Sequence, residues 1–288
     1  MLLTIDDIAL PAARTDDAGL GVKESALRAR LRALGQVAVA YSGGVDSALL
    51  LAVAVDELGD AAVALTAVSA SYAERERQAA AALAERLGAR HVFLATDEVA
   101  DERYVENTAA RCFYCKDVVY HALADYAAAE GLGTLVDGMN RDDTAEHRPG
   151  RHAAEARGVV SPLDEAAFTK ADVRALARQL GLPVWAKPAM ACLSSRIPYG
   201  TPVTVEALAR IEAAEASLAD LGFGQLRVRH HGELACIEVA PEDLDAAFAR
   251  REEIVAAVSA AGYSHVSLDL VGYRPGSLNV GIVYGRAE

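Results

Sequence analysis

Short apolar runs rich in β-branched residues alternate along this chain with longer segments whose apolar positions recur at helical spacing. Residues 38–41, 61–68, 91–95, 133–137 and 159–163 read as strands. Residues 24–34, 48–58, 73–87, 168–180 and a segment from Lys116 to about Glu130 read as helices, the third closed by Gly88 as a C-terminal glycine. Strands alternating with helices predict a parallel sheet covered on both faces, with ligands at the carboxyl ends of the strands. Residues 97–110 are polar and acidic and read as a loop with a short helix. Residues 148–157 read as helical or irregular. The pattern changes after residues 182–200, a loop carrying Pro183, Pro188 and Pro198. Beyond it, residues 204–221 read as a helix capped by Thr204. Residues 225–231 and 234–239 read as a hairpin, 242–261 as a helix and 265–270 as a strand. That order predicts a small α+β domain with an antiparallel sheet. The expectation is an α/β domain over residues 1–190 followed by an α+β domain over 191–288.

Composition narrows the class. With 288 residues, 52% of them hydrophobic, the chain can bury two cores. No apolar run reaches the length of a membrane span, and the acidic N-terminal residues lack the basic start of a secretion signal, so the cytoplasm is expected. The net charge of −13 is poorly suited to gripping a polyanion, so no nucleic-acid partner is expected. A small anionic substrate in a local basic pocket remains compatible.

The first strand runs through Ala40 into Ser42-Gly43-Gly44-Val45-Asp46-Ser47 and then a helix. Glycines there let the backbone approach a phosphate, and the helix N-terminus points N–H groups at it. Ser42 and Ser47 add hydroxyls. Asp46 beside a phosphate makes sense as a Mg²⁺ ligand. The Walker spacing and its Lys-Ser/Thr pair are absent. The segment instead resembles the PP-loop of the ATP pyrophosphatases. That resemblance implies ATP bound through its pyrophosphate and transfer of AMP to a substrate oxygen. By fold analogy, adenine and ribose lie against the end of the second strand, Thr66 to Ser69, and the loop from Asp137 to Asn140.

The chain has four cysteines. Cys112 and Cys115 form C-x-x-C, which fits a redox pair, half a zinc site or two cluster ligands. Cys192 sits among small and apolar residues with Ser194, Ser195 and Arg196 close behind. Arg196 can lower a thiol pKa or hold an anion. Three cysteines in an ATP-activating fold can ligate three irons of a [4Fe–4S] cluster. Cys236, inside a strand, reads as a buried apolar residue. Arg227 and Arg229 alternate on one strand and can face one pocket. Glu215 reads as solvated, Glu233 and Glu238 as local ion-pair partners, Trp185 as boundary packing, and His230-His231 as a turn.

The PP-loop, Arg111-Cys112-Phe113-Tyr114-Cys115-Lys116, the run from Cys192 to Gly200 and Arg227-Val228-Arg229-His230-His231-Gly232 together resemble the LarE family, over roughly residues 22 to 275. These are ATP-dependent sulfur transferases that mature the nickel-pincer nucleotide of lactate racemase. The resemblance implies a PP-loop ATP pyrophosphatase domain with a small C-terminal domain, and adenylation then thiolation of both carboxylates of pyridinium-3,5-biscarboxylic acid mononucleotide. It further implies ATP bound by Ala40, Ser42, Gly43, Gly44, Val45, Asp46, Ser47 and Thr66, with Mg²⁺ at Asp46. Substrate would be held by Ser195, Arg196, Arg227 and Arg229. A [4Fe–4S] cluster would be held by Cys112, Cys115 and Cys192, in a homo-oligomer such as a hexamer. Without a cluster, Cys192 would be the sacrificial sulfur donor. The other readings are a tRNA thiolation enzyme, which would want a basic face, an amide-forming synthetase, which leaves the cysteines without a task, and a nucleotide-sensing module without activity.

Overall fold

The computed structural model describes residues 17–145, 154, 157–188 and 191–274. Apart from Ala154 and Arg157, the segment 148–157 lies outside them. The elements are α1 (Asp17–Leu34), β1 (Val37–Ala40), α2 (Val45–Leu58), β2 (Ala62–Val68), α3 (Glu74–Arg86), β3 (Arg90–Ala95), α4 (Glu102–Val105), α5 (Arg111–Ala129), β4 (Thr134–Val136), α6 (Arg141–Ala145), α7 (Pro162–Glu165), α8 (Lys170–Gln179), α9 (Val205–Asp220), β5 (Leu226–His231), β6 (Leu234–Val239), α10 (Leu244–Ala249), α11 (Arg251–Ala260) and β7 (His265–Leu268). They divide into two compact units.

The first unit comprises the described residues of Met1–Ala67, Ala79–Leu94 and Tyr120–Ala189. Its four strands lie in the order β3-β2-β1-β4, and β1 runs parallel to both neighbours, with Val39 opposite Ala64 and Val136. β1 is apolar on both faces, and Val37, Ala38 and Val39 are fully buried. A continuous apolar strand of this kind belongs at the centre of a sheet covered on both sides. α2 buries Leu49, Leu50 and Leu51 in succession, and α1 and α8 pack against it. A helix apolar on most of its circumference must be enclosed in this way. The chain steps outward from β1 to β2 and β3, then returns to the other side of β1 with β4. The crevice where strand order reverses therefore lies between the carboxyl ends of β1 and β4.

The expected fifth strand reduces to one bridge, Val160 against Val136. Pro162 ends it, because proline has no N–H for a ladder and suits the first turn of a helix, here α7. α5 begins at Arg111, earlier than expected, so Cys112 and Cys115 sit in its first turn rather than in a loop. At i and i+3 they share one helix face.

The second unit comprises the described residues of Val68–Gln78, Ala95–Val119 and Met190–Glu288. Its sheet has the order β5-β6-β7, with β5 and β6 antiparallel and β6 and β7 parallel. The sheet is thus mixed, not antiparallel throughout. The return from β6 runs through α10 and α11, a crossover long enough to bring β7 back in the same direction. Those helices replace the single helix expected over 242–261, which breaks at Arg250 (φ −100°, ψ 20°). One core gathers Leu218, Phe223, Val228, Ile237, Val239, Val258 and Tyr263. A second gathers Tyr104, Leu193, Ile197, Val203, Leu208 and Ile211.

Candidate functional site

In the first unit, β1 delivers the loop and α2 receives it. Tyr41 anchors the turn, its hydroxyl donating to the Ala80 carbonyl at 3.1 Å. Gly43 has φ +72°, and a Cβ there would stand 3.0 Å from the Ala80 Cβ, so the position accepts glycine for two reasons. Gly44 caps α2 with no side-chain cap, leaving the first N–H groups to an external acceptor. Ser47 Oγ accepts from the Ser42 N–H at 3.2 Å and donates to the Gly44 carbonyl at 3.2 Å, so one serine holds the loop's shape.

The loop after β4 closes on it. A Cβ on Gly138 would come 2.7 Å from the Ser47 nitrogen, so backbone packs on backbone there. Asp137 accepts from the hydroxyls of Tyr120 and Ser161, each at 2.7 Å, and from the Met139 N–H at 3.2 Å, which fixes that loop. Burial, and then the Asp137 charge, push the Tyr120 phenol up in pKa and keep it a donor. Asn140 Nδ2 donates to Asp46 Oδ1 at 3.1 Å, and Lys170 Nζ pairs with Asp46 Oδ2. Lys170 was not visible as a site residue. The available signal was Thr169-Lys170-Ala171-Asp172, a capping box that puts Lys170 in the first turn of α8. Ala40 closes β1, half-buried. Thr66 is buried, and its hydroxyl is committed to the Tyr41 carbonyl at 2.5 Å and to His91 Nε2 at 2.8 Å.

All four free thiols lie in the second unit; of the three named above as a group, Cys112 is exposed and Cys115 and Cys192 are partly buried. Cys115 packs on the core that contains Leu193. Its thiol is pushed up in pKa, first by burial, then by Cys192, Glu98 and Cys112. A buried polar network ties the segment before α5 to the segment after Cys192. Asn107 Nδ2 donates to the carbonyls of Pro198 and Thr201 at 2.8 Å each. Arg111 donates to the Asn107 side-chain oxygen and, at 2.9 Å, to the Ser194 carbonyl. The Tyr104 and Ser194 hydroxyls bond to each other, and the Leu193 N–H reaches the Ser71 carbonyl at 2.9 Å. Asn107 holds φ 54°, a left-handed conformation that Asn tolerates better than most residues.

Arg196 is buried, forks onto Glu215 at 2.9 Å through Nε and Nη2, and donates from Nη1 to the Ala191 and Cys192 carbonyls at 2.7 and 2.9 Å. Ser195 Oγ accepts from it at 2.9 Å. Glu215 is therefore not a solvated residue. It neutralises Arg196 and also accepts from the Val228 N–H at 2.9 Å. Arg227 and Arg229 share a face of β5. Arg229 donates to Glu238 at 2.7 Å and to the Ser195 carbonyl at 2.9 Å. Arg227 stacks 5.1 Å from the Tyr273 ring centre and, among the described residues, pairs with no carboxylate. Burial, and then the Arg196 charge, lower its pKa.

Glu233 pairs with Arg210 at 3.1 Å, as expected of a local partner. Cys236 is only partly buried in β6. His230 is buried, with Nδ1 2.9 Å from the Tyr263 hydroxyl, and so belongs to the core rather than to a turn. Trp185 is 39% exposed, with Arg178 over its ring.

Among the described residues, no three His, Cys, Asp or Glu side chains are spaced to hold one metal ion. No helix among them is long and apolar enough to cross a membrane. Residues 23–125 match the asparagine synthase family. An uncharacterized protein of Synechocystis is 44% identical over 85% of this chain and 92% of its own length. An uncharacterized protein of Methanocaldococcus jannaschii is 28% identical over 83% of this chain and 91% of its own length. Pyridinium-3,5-bisthiocarboxylic acid mononucleotide synthase of Lactiplantibacillus plantarum is 40% identical over 91% of this chain and 95% of its own length. With a parallel-sheet unit carrying the phosphate loop and that synthase matched almost end to end, the chain belongs to the LarE family.

Proposed function

We propose that this protein is an ATP-dependent, AMP-forming sulfur transferase acting on pyridinium-3,5-biscarboxylic acid mononucleotide. The observation that carries this is the 40% identity to a synthase of the bisthiocarboxylic nucleotide, spanning 95% of that enzyme. A carboxylate resists nucleophiles until an oxygen becomes part of a leaving group. Its oxygen attacks the α-phosphorus of ATP, pyrophosphate leaves, and an acyl-adenylate forms. The uncapped start of α2 and the Gly43-Gly44 backbone suit the charge that builds on the departing pyrophosphate. Asp46, Ser42 and Ser47 offer oxygen donors that fit Mg²⁺, a hard cation. Asn140 and Lys170 hold the Asp46 carboxylate in place, and the Lys170 charge favours phosphate nearby. Sulfur then attacks the acyl carbon, AMP leaves and a thiocarboxylate remains.

Cys112, Cys115 and Cys192 are the proposed sulfur-handling group. Three thiols that act on one another electrostatically are a soft donor set suited to iron and sulfide. A cubane places each cysteine on a different iron, so it asks for wider spacing than a single ion does. Such a [4Fe–4S] group, when bound, supplies sulfide renewably. Arg227, with Arg229 and Arg196 beside it, is the proposed ligand of the nucleotide's phosphate or carboxylates. A homo-oligomer in the cytoplasm completes the reading. The protein, incubated anaerobically with ATP, Mg²⁺, sulfide and the biscarboxylic nucleotide, should release pyrophosphate only when the nucleotide is present. Mass spectrometry should then find oxygen replaced by sulfur in the nucleotide. Pyrophosphate release on tRNA instead would establish the thiolation enzyme, and none with either would leave a binding module.

A further inference from the structure

Within the first unit, a chain of hydrogen bonds reaches the phosphate loop from two strands away. His91 stands on β3, first in the sheet order β3-β2-β1-β4. Its ring lies edge-on to the Tyr41 ring at 5.3 Å and tilted against Phe93 at 4.2 Å. These contacts hold the imidazole plane. Nε2 is 2.8 Å from Thr66 Oγ1 on β2, and Thr66 Oγ1 is 2.5 Å from the carbonyl of Tyr41, the residue just past β1.

Counting protons sets the direction of each bond. A carbonyl only accepts, so Thr66 donates its single hydroxyl proton to Tyr41. Thr66 Oγ1 must then accept from His91, which puts the imidazole proton on Nε2. The Tyr41 carbonyl and the Ser42 N–H belong to one planar peptide unit, so fixing the first orients the second. That N–H donates to Ser47 Oγ at 3.2 Å, and Ser47 Oγ donates to the Gly44 carbonyl at 3.2 Å. Gly44 is the N-cap of α2. The donors thus point one way, from β3 to the start of the loop's helix, and hydrogen bonds aligned in a chain polarise one another.

We propose that His91 is a positioning residue for AMP transfer, setting the shape of the phosphate loop through Thr66 before the nucleotide arrives. This rests on the reading of that loop as the ATP phosphate site. Thr66, whose proton is spent on Tyr41, serves as the link in this chain rather than as a hydroxyl donor to ATP. A loop already held in its binding shape gives up less free energy to ordering when the ligand binds. His91 therefore contributes to ATP affinity through its Nε2–H.

The test measures binding of ATP with Mg²⁺ by calorimetry on the full chain, as wild type, His91→Leu, His91→Gln, Thr66→Val and the double variant His91→Leu/Thr66→Val. Glutamine keeps a side-chain N–H at the reach of Nε2, and leucine does not. His91→Leu should bind ATP about 2–10-fold more weakly, the worth of one intramolecular hydrogen bond. His91→Gln should stay close to wild type. KM for ATP in pyrophosphate release should rise by the same factor with kcat little changed, because loop shape serves ground and transition states alike. The double variant should bind no more weakly than Thr66→Val alone, since both substitutions break one chain. Equal losses in His91→Gln and His91→Leu, or losses that multiply in the double variant, would overturn the proposal and leave His91 a packing residue. A wild type that binds no ATP would overturn the phosphate-site reading and the proposal with it. Should Thr66→Val fail to fold, the contrast between glutamine and leucine decides.

Discussion

In the first unit, one unbroken stretch from Val37 to Leu58 supplies strand, phosphate loop and helix, and two later residues, Asn140 and Lys170, reach back to Asp46. In the second unit no stretch is sufficient. Cys112 and Cys115 start α5, and Cys192 precedes the 3-10 turn Leu193–Arg196. Backbone geometry at two glycines builds the first site. Buried side-chain hydrogen bonds build the second, through Tyr104, Asn107, Arg111 and Ser194. The first should therefore be sensitive to charge and backbone changes within the loop. The second should be sensitive to polar residues that never touch substrate.

Opposite failures in the two units are the sharpest way to break that contrast. Arg196→Ala strands Glu215, whose side chain is 15% exposed, without its cation. Removing one partner of a buried pair costs about 3–5 kcal/mol. Thermal unfolding should show that loss, and iron uptake should fall, while ATP binding is retained. Asp46→Ala should do the reverse. AMP transfer, read as pyrophosphate release, should fall by about 10²–10³-fold, the size of losing one preorganised electrostatic group, with iron uptake unchanged. Surviving pyrophosphate release would remove Asp46 from the chemistry.

Asn107→Ala probes the network itself. It leaves the Pro198 and Thr201 carbonyls and the Arg111 guanidinium short of a partner, at about 1–3 kcal/mol for each group left unsatisfied. Iodoacetamide labelling should then speed up at Cys115 and Cys192, with little change at Cys112, which is already exposed. Uniform labelling rates would show that the network does not shape the thiol group.

The smallest expected effect concerns pH. Burial lowers the pKa of both His91, in the first unit, and His230, in the second. For each, the unfolded chain binds the proton more readily. Its contribution is complete above the ordinary histidine pKa of about 6.5 and is lost as pH falls below it. His230→Gln should flatten the fall in melting temperature between about pH 7.5 and 5.5, and an unchanged slope would contradict this.

The contrast also governs what could be read from residues alone. The strand, loop and helix around Ser42–Ser47 were legible because they are contiguous and their context is local. The three cysteines were legible as residue types. What ties the start of α5 to the segment after Cys192 was not, since Asn107, Arg111 and Glu215 look like ordinary loop or helix residues until the chain is folded. The fifth strand failed at Pro162, and β7 was misoriented because a crossover's direction depends on where it packs. Lys170 was missed because its partner, Asp46, is remote in sequence.

The central claim is that Cys112, Cys115 and Cys192 hold a renewable sulfur carrier. Anaerobic multiple turnover with excess sulfide, followed by intact mass and peptide mapping of the protein, tests it most directly. The account predicts more than one sulfur transferred per chain, iron still bound, an unmodified Cys192 side chain, and loss of iron on replacing any of the three cysteines but not on Cys236→Ala. Transfer that stops at one sulfur per chain, with Cys192 lighter by the mass of H₂S and no iron bound, would contradict it and establish Cys192 as a consumed donor.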